Sequence, residues 1–95
     1  MTGKSLAKGI THWPETERPR ERLMAKGPDA LSDAQLLAIL LRTGRRDFSA
    51  VQVAIELLGR VGGIGGLAMC GIEELCAIPG IGPAKAAQLK AAVEL

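Results

Sequence analysis

Apolar residues recur along this chain at the three- and four-residue spacing of a helix, in short runs separated by glycines and polar residues. Three runs are clear, and they contain Leu36, Leu37, Ile39, Leu40 and Leu41, then Val51, Ala54, Ile55, Leu57 and Leu58, then Ala86, Leu89 and Val93. Nowhere do apolar and polar residues alternate as they do in a half-buried strand. The pattern therefore predicts an all-α fold, a small bundle of five or six short helices.

Residues typical of helix ends mark where these helices begin. Ser32 with Gln35, and Ser49 with Gln52, stand at the spacing of a capping box, which satisfies free amides at a helix start. Pro19 and Pro83 suit a first helical position. Gly44 is expected to end the helix that Ser32 begins. The glycine-rich segment 62–66 is expected to be a connector, followed by a short helical turn around Leu67.

A weak internal repeat divides the chain. The segment GIEELCAI at 71–78 aligns with SDAQLLAI at 32–39, and each copy leads through a glycine-containing turn into a longer helix. We expect a degenerate first helix–turn–helix copy at about 31–61 and a second copy at about 71–95. The ordered domain is expected to span 13–95, with 1–12 a mobile N-terminal tail.

Composition narrows the class of protein. The 95 residues suit one small domain, and 47% are hydrophobic but only 2% aromatic. No run reaches the roughly 20 apolar residues of a membrane span, so we expect a cytoplasmic protein with no membrane partner. The net charge of +2 is only mildly basic.

Candidate catalytic and metal-binding residues are sparse. Cys70 and Cys76 are the only cysteines and His12 is the only histidine, too few for a metal site, so buried, reduced thiols are expected. Glu73 and Glu74 are adjacent on a helix and point apart, and Glu74 is expected to cap the helix start. The sequence therefore predicts neither catalysis nor a cofactor in this chain.

The segment IPGIGPAKA at 78–86 carries the clearest functional signal. Gly80 and Gly82 permit backbone conformations and close approach that side chains forbid, while Ile78 and Ile81 would anchor the turn in the core. Pro83 begins a helix whose first amides lack intrahelical partners, and such an N-terminus attracts anions. Lys85 adds a positive charge there. The candidate phosphate-binding set is Gly80, Ile81, Gly82, Ala84 and Lys85; alternatively, the turn only joins two packed helices.

Cations also cluster in the turn of the first copy. Arg42, Arg45 and Arg46 face only one nearby carboxylate in sequence, that of Asp47. If the two copies are related by a pseudo-two-fold, this turn lies on the same face as Gly80–Lys85, and these arginines are candidate secondary DNA contacts. The arginines of 18–22 alternate with Pro19 and Glu21, and Glu15, Glu17 and Glu21 balance their charge, a pattern that favours a solvated face over a DNA patch.

These motifs resemble known families. IPGIGPAKA is similar to the turn of helix-hairpin-helix motifs, which implies sequence-independent binding to the sugar-phosphate backbone of DNA. The combination WPETERPRERLMAKGPDALSDAQLLAILLRTG with ELCAIPGIGPAKAAQLKAAVEL resembles, over residues 13–95, the N-terminal region of the RadC family. The resemblance implies duplex or branched DNA as partner and a link to DNA repair or recombination.

The family resemblance also implies an alternative. Similar family members continue into a JAB/MPN-type metallopeptidase-like domain, which binds zinc through histidines and an aspartate. This chain has no H-x-H motif. We therefore expect it to lack that domain, with zinc only in the absent part. The chain could then serve as a non-DNA-binding interaction or positioning domain for the absent C-terminal domain.

Overall fold

The structure, a computed structural model, describes residues 18–95, and in that range it contains six α-helices and no strand. The helices are α1 (Pro19–Lys26), α2 (Asp33–Leu41), α3 (Ala50–Val61), α4 (Gly63–Met69), α5 (Ile72–Cys76) and α6 (Pro83–Glu94), with a 3₁₀ turn at Pro28–Ala30. This confirms the predicted all-α bundle. The predicted mobile tail at 1–12, and the predicted start of order at Trp13, lie outside the described residues.

Both predicted capping boxes are present. The Ser32 hydroxyl accepts a hydrogen bond from the Gln35 amide at 3.1 Å, and the Gln35 side chain accepts one from the Ser32 amide at 2.8 Å. Ser49 and Gln52 make the same pair of bonds at 3.1 and 2.7 Å. These bonds fix the first turns of α2 and α3 by satisfying amides that the helix itself leaves free.

One apolar core holds the bundle together. Its fully buried large side chains, from five of the helices and their connections, include Leu41, Val53, Leu57, Leu67, Leu75 and Leu89. Helix α2 packs on α3, α5 packs on α6, and α6 also contacts α2 and α4. Helix α6 is therefore the element that joins the second helix pair to the first.

The glycine-rich segment differs from the sequence prediction. Residues 63–66 are not a connector but the first half of α4, despite the low helix propensity of glycine. Two tertiary contacts explain the difference. Leu67 is fully buried, and the Lys90 ammonium donates to the carbonyls of Leu67, Ala68 and Cys70 at 3.3, 2.8 and 2.6 Å. The carbonyls at the end of α4 thus obtain partners that the sequence of α4 alone does not supply.

The two thiols also differ from expectation. Cys76 is exposed rather than buried, because α5 turns Leu75 and not Cys76 into the core. Cys70 is partly buried, and its thiol donates to the Leu67 carbonyl at 3.3 Å. Within residues 18–95, no three His, Cys, Asp or Glu side chains are grouped so as to hold a metal ion. That both thiols are reduced and metal-free stays a prediction.

The helices of the described range are short. No single helix within 18–95 is long and apolar enough to cross a membrane; α3 and α4 meet that test only as a pair, which bends by 73° between them.

Candidate functional site

The turn between α5 and α6 is anchored as the sequence predicts. Ile78 and Ile81 are both buried in the core, and they fix the two ends of the Pro79–Gly80 segment. Gly80 has a φ of 93°, a conformation that side chains disfavour. The geometry of this turn therefore favours glycine at position 80.

Gly82 has a different role from the one predicted. Its φ of −92° and ψ of −177° are ordinary extended values, and a Cβ built on it meets no atom within 4 Å. The backbone thus does not require glycine at position 82. A side chain there would instead project into the open space in front of the α6 N-terminus.

The N-terminus of α6 is open, in contrast to those of α2 and α3. The first helical bond of α6 runs from the Ala86 amide to the Gly82 carbonyl. Among residues 18–95, the amides of Gly82, Ala84 and Lys85 have no hydrogen-bond partner, because Gly82 supplies no capping side chain. Free amides at the positive end of a helix dipole form a local anion-binding environment.

Lys85 lies across the gap between the two turns. Its ammonium donates to the backbone carbonyl and to the hydroxyl of Thr43, each at 3.0 Å. An ammonium carries three donors, so one remains for an acceptor from outside. The sequence prediction treated Lys85 only as a free cation. The structure gives it a second role, as a link between α6 and the end of α2.

The two turns are in direct contact. A Cβ built on Gly80 would lie 3.1 Å from Cδ and 3.3 Å from Cβ of Arg45. The backbone of the α5–α6 turn and the side chain of the α2–α3 turn therefore pack against each other. A side chain at position 80 would therefore press on the Arg45 side chain and would also have to adopt a positive φ.

Arg45 is held within the fold. Its guanidinium carbon lies 3.7 Å from the ring centroid of Phe48, and its Nη2 lies 3.5 Å from Oε1 of Glu56. The same carboxylate also pairs with Arg60, whose Nη2 lies 3.0 Å from Oε2 of Glu56. Of the three candidate arginines, Arg42 and Arg46 are exposed, whereas Arg45 is only partly accessible. The free positive charge of the first turn is therefore carried by Arg42 and Arg46.

The backbone of the α2–α3 turn is unusual. Helix α2 ends at Leu41, before the expected stop at Gly44, and Arg42 and Asp47 have positive φ values of 69° and 66°. Such values are uncommon for residues other than glycine. Gly44 instead allows close approach, since a Cβ there would collide with the Phe48 carbonyl. The tight turn brings Thr43 within hydrogen-bond distance of the Lys85 ammonium in the first turn of α6.

Sequence reasoning missed several residues that shape this region. Thr43 accepts from Lys85, Glu56 pairs with Arg45, and the Gln88 side chain donates to the Leu40 carbonyl at 3.2 Å. Lys85 and Gln88 are three residues apart, so their common helix face was readable from sequence. Their partners, Thr43 just after α2 and Leu40 within it, were not, because these contacts span more than forty positions.

The arrangement of charges and amides around the two turns is suited to holding an anion. Of the two glutamates of α5, Glu74 is engaged at the helix start, where it accepts from the Gly71 amide at 2.8 Å. Free amides, one ammonium donor and two exposed guanidinium groups remain in and beside the two turns. Together they can stabilise negative charge through hydrogen bonds and electrostatic attraction.

Comparison with known proteins identifies relatives over most of the chain. The family profile described as UPF0758 N-terminal matches residues 10–87. A UPF0758 protein of Dechloromonas aromatica is 63% identical over 87 residues, covering 90% of this chain and 38% of the relative. One from Halorhodospira halophila is 57% identical over 86 residues, with the same coverage of both chains.

The matched region is only part of these relatives. A third UPF0758 protein, from Desulforudis audaxviator, is 58% identical over 78 residues, which cover 82% of this chain and 34% of that protein. The chain thus spans less than two fifths of the length of these relatives. No solved structure matches it significantly. On the strength of the profile and of these identities, the chain belongs to the UPF0758 family, the RadC-like family that its sequence resembles.

Proposed function

We propose that this chain is a sequence-independent DNA-binding module, with α5, the following turn and α6 acting as a helix-hairpin-helix motif. In this proposal the amides of Gly82, Ala84 and Lys85 hold one backbone phosphate, while Gly80 and Ile81 shape the turn. Arg42 and Arg46 make secondary contacts, and Arg45 positions the turn. A role in DNA repair or recombination, in the cytoplasm, belongs to the same proposal.

The single observation that carries this proposal is the open N-terminus of α6. The three longest helices, α2, α3 and α6, each begin at a small N-cap residue, and of these three only α6 lacks a capping side chain. Two of the three are closed by a serine and a glutamine. At α6 the corresponding residues are Gly82 and Lys85, a combination that leaves the amides free and adds a cation where the helix dipole disfavours one. A bound phosphate would make that cation favourable.

A second observation supports the same site. The Nε donor of Arg45, beside Gly80, is shielded from solvent and has no hydrogen-bond partner within residues 18–95. Buried donors without partners are rare, because each one carries a free-energy cost. An acceptor bound between the two turns would add an electrostatic partner for this guanidinium.

The proposed interface is small, so its affinity should be low and strongly dependent on salt. With roughly two to four phosphates neutralised, the slope of log K against log salt on duplex DNA should be about −2 to −4. Base sequence should matter little, since phosphate contacts carry no sequence information. No catalysis and no cofactor are proposed for this chain, and zinc is proposed only for the part of the relatives that lies beyond it.

A titration of the chain with fluorescent duplex, nicked and branched DNA at several salt concentrations tests this function. Binding that weakens with salt at the stated slope, and that is indifferent to base sequence, supports it. An absence of binding to all three DNA structures at low salt would show that the module does not bind DNA.

That negative result would favour the second candidate function, a non-DNA-binding interaction or positioning domain for the C-terminal JAB/MPN-type domain that the family resemblance implies. One observation supports it. An apolar groove of about 350 Å³ lies between α2, α4 and α6, and Leu36, Leu40, Ile64 and Val93 line it. Apolar surface of this kind is typical of contact with another protein part.

A further inference from the structure

Helix α4 has little of its own to hold it in the helical state. Three of its seven residues are glycines, Gly63, Gly65 and Gly66, and its N-cap, Gly62, offers no capping side chain. A glycine inside a helix is less favourable than an alanine, because it loses more backbone freedom. A helix this short is not stable in isolation, so α4 depends on its tertiary contacts.

The contacts that hold α4 are concentrated in its second half. Leu67 is the one residue of α4 that is buried, whereas α3 buries four residues and begins with a capping box. Ile64 and Met69 are 40% and 86% exposed. The end of the helix is held by the Lys90 ammonium, whose shortest contact is with the Cys70 carbonyl, at 2.6 Å. Few buried side chains and a large exposed surface are typical of a segment that opens before the rest of a fold.

The connection before α4 separates it from α3. Gly62 and Gly63 have positive φ values of 88° and 84°, and the two helices meet there at a bend of 73°. Helix α3 is closed on its own side of the bend, since the Gly62 amide donates to the Leu58 carbonyl at 2.9 Å. The last turn of α3 is therefore complete without α4.

The α5–α6 pair also has ties to the bundle that do not involve α4. The Lys85 ammonium donates to Thr43, just after α2, and the Gln88 side chain donates to the Leu40 carbonyl within α2. These bonds join α6 to the first helix pair directly. The rest of the bundle thus keeps its connections when α4 unfolds.

Unfolding of α4 changes the apolar groove between α2, α4 and α6. Ile64, Gly65 and Ala68 form the α4 wall of that groove. Loss of this wall widens the groove and uncovers the place in the core that Leu67 fills. Folded α4 therefore covers apolar surface that becomes available for contact when α4 opens.

We propose that α4 is a latch on this apolar groove. It unfolds locally as one unit, from Gly63 to Cys70, while α3 and the α5–α6 pair stay folded, and the Lys90 ammonium holds it closed. This conformational property does not rest on DNA binding, and it concerns a part of the bundle other than the two turns of the candidate site.

Amide hydrogen exchange in the unmodified chain tests the local opening. The Cys70 amide reports on α4, because it donates to the Gly66 carbonyl at 3.0 Å, and the amide of Leu57, which is fully buried in α3, reports on the bundle. After correction for intrinsic rates, the Cys70 amide should exchange faster. Its exchange should also depend less on urea, since local opening exposes less surface than global unfolding. The same corrected rate and the same urea dependence at both amides would overturn the proposal.

A matched pair of glycine substitutions separates local from global opening. Gly65 lies in α4 and Gly59 in α3; neither has a positive φ, and a Cβ built on either meets no atom within 4 Å. Because alanine favours the helix, Gly65→Ala should slow exchange of the Cys70 amide by up to about fivefold. Gly59→Ala should leave that rate unchanged. The rates are compared where reclosing is faster than exchange.

The other outcomes of this comparison contradict the latch. Equal slowing in the two variants would assign exchange of the Cys70 amide to global unfolding. No slowing in either variant would show that this amide is released without the unfolding of α4. Slowing in Gly59→Ala alone would place the opening in α3.

The part played by Lys90 is measured with the same amide. Lys90→Met should speed exchange of the Cys70 amide by roughly tenfold or more, because the variant loses hydrogen bonds from a charged donor. Lys26→Met, at the exposed end of α1, is the control for net charge and should leave the rate unchanged. Combination of Lys90→Met with Gly65→Ala should slow the exchange again. An unchanged rate in Lys90→Met, or equal acceleration in both lysine variants, would overturn the assignment of Lys90 to the latch.

Discussion

The ammonium of Lys85, in the first turn of α6, donates to both the carbonyl and the hydroxyl of Thr43, at 3.0 Å each, and so ties the second turn of the domain to the first. The residue expected to attract a phosphate is thus also a structural tie. The two roles of Lys85 can be measured separately. The free energy of unfolding reports on its hydrogen bonds to Thr43, and DNA affinity reports on its positive charge.

Replacement of Lys85 by methionine, which keeps most of the side-chain stem, should lower the free energy of unfolding. Because both contacts of the Lys85 ammonium are exposed to solvent, we expect a loss at the level of an ordinary hydrogen bond, about 0.5–1.5 kcal/mol, by urea denaturation. Lys26→Met is the control for net charge, since Lys26 is exposed in the last turn of α1. A Lys85→Met variant as stable as the unmodified chain would show that the Thr43 contact contributes nothing.

The two glycines of the turn should respond differently to alanine. Gly80→Ala forces a side chain into a positive φ and against Arg45, so it should cost about 1–2 kcal/mol or more. Gly82→Ala has an ordinary φ and open space, so its effect should stay within about 0.5 kcal/mol. Urea denaturation of both variants measures the difference. Equal losses at the two positions would contradict the described turn geometry.

Gly82 offers a more specific test of the anion site. Gly82→Asp should cap α6 and raise stability by a few tenths of a kcal/mol, because an aspartate side chain can accept from the free amides. The same change should abolish DNA binding, because the aspartate carboxylate would occupy the proposed phosphate site and repel the negatively charged phosphate. Gly71→Asp is the matched control, as it places the same charge at the N-cap of α5. DNA affinity that falls equally in both variants would indicate a general effect of charge instead of a site.

Lys90 should be important for the stability of α4. Its ammonium contacts three carbonyls at the end of that helix, and hydrogen bonds to charged groups contribute about 1.5–3 kcal/mol. Lys90→Met should therefore destabilise the domain by roughly that amount, with the largest increase in amide hydrogen exchange in α4. Increased exchange confined to α1 would argue against this role.

The features that could be predicted from the sequence are those whose interacting residues are only a few positions apart. The capping boxes of α2 and α3, the buried Ile78 and Ile81, and the proline at the start of α6 follow local rules of a few residues. The helical state of Gly63–Met69 could not be predicted in this way. It depends on Lys90, more than twenty positions away, and on the burial of Leu67.

The same distinction applies to the candidate site. The open amides of α6 could be predicted from Gly82 and Pro83, because they are a local property of the helix start. The engagement of Lys85 by Thr43 and of Arg45 by Phe48 and Glu56 could not, since each depends on how the turns pack. Cys76 was misplaced because a five-residue helix carries too little periodicity to fix which side faces the core.

The central claim, that the first amides of α6 hold a DNA phosphate, is tested most directly by amide chemical shifts. Nitrogen-15-labelled protein is titrated with a short DNA duplex at low salt, and the shifts of each backbone amide are followed. We predict that the largest changes occur at Gly82, Ala84 and Lys85, with smaller ones at Arg42 and Arg46, and that all of them decrease as salt is added. Unchanged amides at Gly82, Ala84 and Lys85, with shifts confined to another surface or absent altogether, would contradict the account.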